Sequence, residues 1–279
     1  MAHFYTPTGE ARHFVPKKTG GGNRPTTIAD ARKERLLPSA TTVIRIVDKP
    51  ALSTWKLQQV AKAAFNHQFH ATGPPLTEKE YVDKMVLDSE EHMLKASDFG
   101  TKLHSRLEQL VSPDGTELPP SPECDAAFSA VRDWLMSRVD EVIYAEKHVI
   151  GDAGGISLGY AGKFDLLAKI DGKRTVVDFK TRTPYVLKSG NKLRPYWDSD
   201  CVQLAAYSTA IAQGFGTAYP PPRGMSLIVA SDGSPLLLEH AWPEVEMLNG
   251  LKLFTSLLTS WCLLNDYYPP APTKLGIVL

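Results

Sequence analysis

Apolar residues recur at a helical period from about residue 39 to 137, a strand period sets in at about 141, and helices and strands then alternate to the end. Pro50 opens a helical stretch carrying Trp55, Leu57, Val60, Ala64 and Phe65, and a turn at 72–75 separates it from a second stretch over 78–111. Segment 112–122 (SPDGTELPPSP) reads as a loop, and Phe128, Val131 and Leu135 place a third helix over 123–137. Val, Ile, Phe and Tyr then mark strands over 141–150, 160–170 and 174–181. A compact helix follows over 198–213, ended by Gly214. A hairpin over 225–230 and 236–242 turns at SDGS, and a closing helix covers 244–265. The first 38 residues, with GlyGlyGly at 20–22 and little periodicity, read as an extended or partly disordered lead on the surface. The expected organisation is this lead (1–38), a helical region (39–111) and a core (112–279) in which a mixed sheet is flanked by helices.

The middle of the core carries candidate chemistry. AspGly at 171 and 172 is the preferred pair for a two-residue type I′ turn. Counting outward equally from that turn sets Asp165 opposite Asp178, and directly opposed like charges destabilise a sheet unless a cation lies between them. Strict alternation puts Asp165, Lys163, Asp178 and Lys180 on one polar face, and Phe164, Leu166, Ala168, Ile170, Val177 and Phe179 on a core face. Two close carboxylates with a lysine two residues on suit a hard divalent cation, Mg²⁺ or Mn²⁺. Gly100 and His104 lie one helical turn apart in GTKLH, so a helix can approach closely while projecting its imidazole. Glu146 in VIYAEKHV offers a third carboxylate, and Gln203 and Tyr207 in QLAAY are again one turn apart.

Composition narrows the class. Thirty-one basic and 31 acidic residues cancel, so overall charge recruits no polyanion. The distribution is uneven. Lys173, Arg174, Lys180, Arg182, Lys188, Lys192 and Arg194 form a basic stripe interrupted by one acid, Asp178, and Tyr185, Tyr196 and Trp197 beside it could stack bases. Ser39, Thr41 and Thr42 open a short apolar run; as a helix start they could donate to a phosphate, although N-capping accounts for one of them. Three cysteines without a CxxC pair argue against a disulfide framework or an iron–sulfur site. The apolar stretch 253–264 is shorter than the ~20 residues of a membrane span, and the N-terminus lacks the pattern of a signal peptide. A cytoplasmic location is expected.

In order, GTKLH with His104, Glu146, GKFD with Asp165, VVDFKT with Asp178 and Lys180, and QLAAY with Gln203 and Tyr207 resemble the motifs of the PD-(D/E)XK nuclease superfamily, in its RecB-like exonuclease branch. The stretch LPSATTVIRIVDKPALSTWK is similar to the N-terminal helical part of the mitochondrial genome maintenance exonuclease and related phage exonucleases. The resemblance implies a restriction-endonuclease-like core and a metal-dependent DNA exonuclease. It would act on single-stranded ends in replication, recombination or repair, in the cytoplasm, which for a phage-encoded protein is the host's. His104, Asp165, Asp178 and the backbone carbonyl of Phe179 would hold Mg²⁺ or Mn²⁺, Glu146 would tune or join that shell, and Lys180 would activate the attacking water. Gln203 and Tyr207 would contact the nucleic acid, joined from the stripe by Arg182 and from the early helix start by Ser39, Thr41 and Thr42. Alternatives are a duplex-resecting or flap nuclease of the same superfamily and a non-catalytic nucleic-acid-binding protein on the same scaffold.

Overall fold

The computed structural model describes residues 2–47, 50–70, 76–111, 121–153, 157–187, 190–192, 198–216 and 219–279. In chain order the elements are β1 (Phe4–Tyr5), β2 (Phe14–Pro16), β3 (Asn23–Pro25), α1 (Ile28–Glu34), β4 (Leu37–Pro38), α2 (Ala40–Ile44), α3 (Pro50–His70) and α4 (Glu78–Val111). After a short 3-10 turn come α5 (Asp125–Arg138), β5 (Val139–Asp152), β6 (Gly159–Ile170), β7 (Lys173–Arg182), β8 (Tyr185–Leu187) and β9 (Gly190–Lys192). The chain closes with α6 (Asp198–Phe215), β10 (Arg223–Ala230), β11 (Leu237–Ala241), α7 (Glu244–Asn265) and β12 (Gly276–Ile277). The turn expected at 72–75 and nearly all of the loop expected at 112–122 lie outside the described residues.

Six strands form the central sheet in the order β11-β10-β7-β6-β5-β12. β7 and β10 run parallel and the other neighbours antiparallel, so the sheet is mixed as the periodicity suggests. Both of its faces are buried. One packs Leu166, Ala168, Ile170, Val177 and Phe179 against Phe99, Leu103 and Leu107 of α4 and Val131 of α5. The other packs Tyr160, Phe164, Leu167 and Val176 against α6, α7 and α2. A strand covered on both sides reads as a nearly continuous apolar run, which is why β6 and β7 carry so few exposed positions.

The N-terminal residues differ from the expected surface lead. Phe4 is fully buried and its ring lies 6.4 Å from that of Trp261 in α7. β1 pairs with β4, Leu36 and Leu37 are buried, and the Tyr267 hydroxyl donates to the Leu36 carbonyl at 2.7 Å. Two-residue strands are too short to show alternation, so the pattern hid them. One signal was present: Thr27 and Asp30 form a capping box that starts α1. A second difference concerns Gly214, which does not end α6. The helix continues to Phe215, and Gly216 takes the left-handed conformation at φ 88° that closes it. Gly214 instead permits contact with β12, since a Cβ there would meet the Gly276 Cα.

Candidate metal centre and active site

β6 and β7 pair from Ile170↔Lys173 to Leu166↔Val177, the register set by a turn with both Asp171 (φ 51°) and Gly172 (φ 70°) left-handed. The ladder stops one step short of Asp165 and Asp178. There the Phe179 N–H donates at 2.7 Å to Asp165 Oδ2, so a side chain replaces the partner strand. On the other edge of β6 the pairs run Ala145↔Leu166 and then Lys147↔Phe164, and Glu146 between them holds φ 52°, in the left-handed region. Both irregularities meet at Asp165.

α4 supplies the imidazole. Phe99, Leu103 and Leu107 form its buried ridge, so His104 and Glu108, each one position on, share the adjoining stripe. Gly100 lets the helix close in: a Cβ there would lie 3.1 Å from Thr181 Oγ1 of β7. His104 Nδ1 lies 3.9 Å from Asp165 Oδ1, and its ring meets that of Phe179 edge-on at 6.2 Å. One ligand atom each from His104, Glu146 and Asp165 falls within 4.8 Å of the others. Asp178 stands beside this triad rather than in it. Its Oδ2 is 2.5 Å from Lys180 Nζ, and its Oδ1 accepts from Gln203 Nε2 at 3.2 Å. Lys180 Nζ also donates to Gln203 Oε1 at 3.1 Å, so α6 fixes both groups of the DFK sequence.

Charge is crowded here. Burial, and then the nearby Asp178, push the Asp165 carboxyl up to about 7. Burial and then Asp165 push Glu146 to about 7 against the pull of Lys163. Burial lowers the His104 imidazole, which leaves it neutral and able to ligate. For Lys180 burial pulls the ammonium down, and Asp178, Asp200 and Asp165 more than offset it, so it stays charged. Two carboxyls that favour protons beside a third, with a neutral imidazole among them, form a donor set that a hard divalent cation would satisfy.

Other expected positions fall differently. The polar residues do not share one face: Phe164 packs on the α6 side while Leu166 packs on the α4 side, because alternation breaks at Asp165. Lys163 accordingly does not join Asp178 and Lys180; its Nζ pairs with Glu146 Oε2 at 2.6 Å and Glu108 Oε1 at 3.4 Å. Tyr207 is 3% exposed, with its ring against Gly162 and its hydroxyl taking a hydrogen bond from Gln203, so it backs the site instead of facing a nucleic acid. Arg182 Nη2 donates to both carboxylate oxygens of Asp200 of α6, at 3.0 and 3.2 Å, which ties strand to helix. Ser39 caps the five-residue α2, and Ser39 and Thr42 are buried and hydrogen-bonded to each other and to His3; Thr41 also bonds Ser39. These hydroxyls anchor the N-terminal segment. Of the basic stripe, Arg174 stacks 3.3 Å over Tyr219; Lys188, Arg194, Tyr196 and Trp197, and the side chains of Tyr185 and Lys192, lie outside the described residues. Sequence reasoning missed Glu108, whose signal was its place one turn after His104.

A family model described as the PD-(D/E)XK nuclease superfamily matches residues 51–246, a span that contains every member of the triad together with Asp178, Lys180 and Gln203. Among solved structures, the chain is similar to one named "Putative exonuclease" from Eubacterium rectale, at 16% identity and a TM-score of 0.40, covering 63% of this chain and 70% of that one. That likeness is too distant to bear on function. No curated protein matches.

Proposed function

This chain belongs to the PD-(D/E)XK nuclease superfamily, and from that premise we propose that it is a metal-dependent DNA exonuclease that hydrolyses phosphodiester bonds at single-stranded ends. The observation that carries the reading is the convergence of His104, Glu146 and Asp165 within 4.8 Å of one another, with Lys180 held at their margin by Asp178 and Gln203. His104, Glu146 and Asp165 would hold Mg²⁺ or Mn²⁺, with Asp178 and the Phe179 carbonyl as further donors. When bound, the cation would supply Lewis acidity toward a phosphoryl oxygen and a lowered pKa for its water. Lys180, charged and restrained by its ion pair with Asp178 and its hydrogen bond to Gln203, would hold the attacking water in line. Gln203 would keep that ammonium aimed, with Tyr207 behind it. The preference for single strands is supported by the resemblance of residues 37–56 to the helical part of single-strand exonucleases.

The test is a time course on 5′- and 3′-labelled single-stranded and duplex oligonucleotides, with a circular single strand as control. The expected outcome is stepwise shortening from an end with Mg²⁺ or Mn²⁺, none with EDTA, and an intact circle. Lys180→Ala should slow cleavage by about 10²–10⁴-fold with its circular dichroism unchanged, and Asp178→Ala at least as much. Binding of DNA without any metal-dependent product would instead favour the non-catalytic binder, and cleavage of the circle would make the protein an endonuclease.

A further inference from the structure

The carboxylate of Glu146 is delivered from a backbone that does not by itself determine where it points. Glu146 sits at φ 52° between the pairs Ala145↔Leu166 and Lys147↔Phe164, where the β5–β6 ladder passes it over. A side chain in that conformation persists only where its surroundings dictate it. What grips it is an ammonium: Lys163 Nζ lies 2.6 Å from Glu146 Oε2 and 3.4 Å from Glu108 Oε1. Glu108 is one helical turn from His104 on α4. The run Glu108–Lys163–Glu146 therefore links the helix that carries the imidazole to the strand that carries the carboxylate.

We propose that Lys163, anchored by Glu108, is a positioning residue that aims Glu146 into the cation site. The role rests on the reading of His104, Glu146 and Asp165 as cation ligands. It opposes what charge alone would do. An ammonium beside a dication repels it, so a lysine that only neutralised surplus carboxylates would weaken cation binding, and its removal would tighten it. A positioning lysine gives the opposite sign, because partners that orient a metal ligand are worth about 10–100-fold in affinity.

The experiment is calorimetric titration of the full chain with Mn²⁺ in the absence of nucleic acid, on the wild type, Lys163→Met, Lys163→Arg, Glu108→Gln and Asp165→Asn. The dissociation constant is expected to rise about 10–100-fold in Lys163→Met and by less in Glu108→Gln. In Lys163→Arg it should stay near wild type, since a guanidinium can bridge the same two carboxylates. Melting of the metal-free variants serves as the folding control, and should Lys163→Met fail to fold, Glu108→Gln carries the test. Unchanged or tighter Mn²⁺ binding in Lys163→Met, or in Glu108→Gln where it stands alone, overturns the positioning role. A wild type that binds no Mn²⁺, or an Asp165→Asn variant that binds as the wild type does, overturns the cation site itself and the role with it.

Discussion

Glu146 and Asp165 both have carboxyls pushed to about 7, chiefly by burial, and this makes stability depend on pH with a definite sign. A carboxyl whose pKa is higher folded than unfolded holds its proton better in the native state. Its contribution is full below the ordinary carboxylate range and is lost as pH rises through 7. Metal-free protein should therefore melt at a lower temperature near pH 8 than near pH 5 on account of these groups, and Asp165→Asn should flatten that dependence. With Mn²⁺ the trend should reverse, because the cation binds only the deprotonated ligands. Melting curves across this range with EDTA and with Mn²⁺ measure both slopes; an Asp165→Asn protein with the wild-type slope would show that Asp165 does not titrate as described. The identities of these residues are plain in the sequence. The left-handed backbone at Glu146 is not, since nothing in VIYAEKHV marks a residue that two neighbouring strands leave unpaired.

Elements reach the site through close approaches. Gly162 of β6 faces α6, and a Cβ there would overlap the Tyr207 ring, with the hydroxyl at 3.1 Å. Gly162→Ala should displace Tyr207 and with it Gln203, which holds Asp178 and Lys180. The expected cost is about 1–3 kcal/mol by urea denaturation, with a loss of activity beyond what that destabilisation explains. Gly162→Ala should cost less in a Tyr207→Ala background than in the wild type, because the ring it would meet is gone; a Gly162→Ala protein as stable as the wild type would mean the helix yields freely. The AspGly turn announced the hairpin and its register for five pairs. Extending the same alternation past Leu166 failed, because the strands separate there: β7 stays with β10 and β6 with β5. A local rule holds only as long as the ladder that enforces it.

At the scale of the molecule, the N-terminal segment is part of the core. Phe4 is fully buried among residues of α6 and α7, so Phe4→Ala should cost about 3–5 kcal/mol in denaturant unfolding while leaving Mn²⁺ affinity intact. A loss below about 1 kcal/mol would return the segment to the surface role its composition suggests. α4 joins the two halves of the molecule. At roughly 1.5 Å per residue its 34 residues make a long rod, with the Tyr81 hydroxyl donating to the Ala64 carbonyl of α3 at 3.4 Å near one end and Phe99, Leu103 and Leu107 buried against β6, β7 and β10 toward the other. One helix thus carries both the packing ridge and His104.

Helix and strand periods and the AspGly turn were readable from the amino acids alone, because each depends on neighbours a few residues away in the chain, and the order of His104, Glu146, Asp165, Asp178, Lys180 and Gln203 was readable as a resemblance to a family. Which carboxylates gather around the imidazole, the burial of Tyr207, the Arg182–Asp200 clasp and the place of Phe4 in the core were decided only by tertiary structure. Those depend on where strands stop pairing and on groups brought together from distant segments, and no local pattern records the point at which a sheet opens.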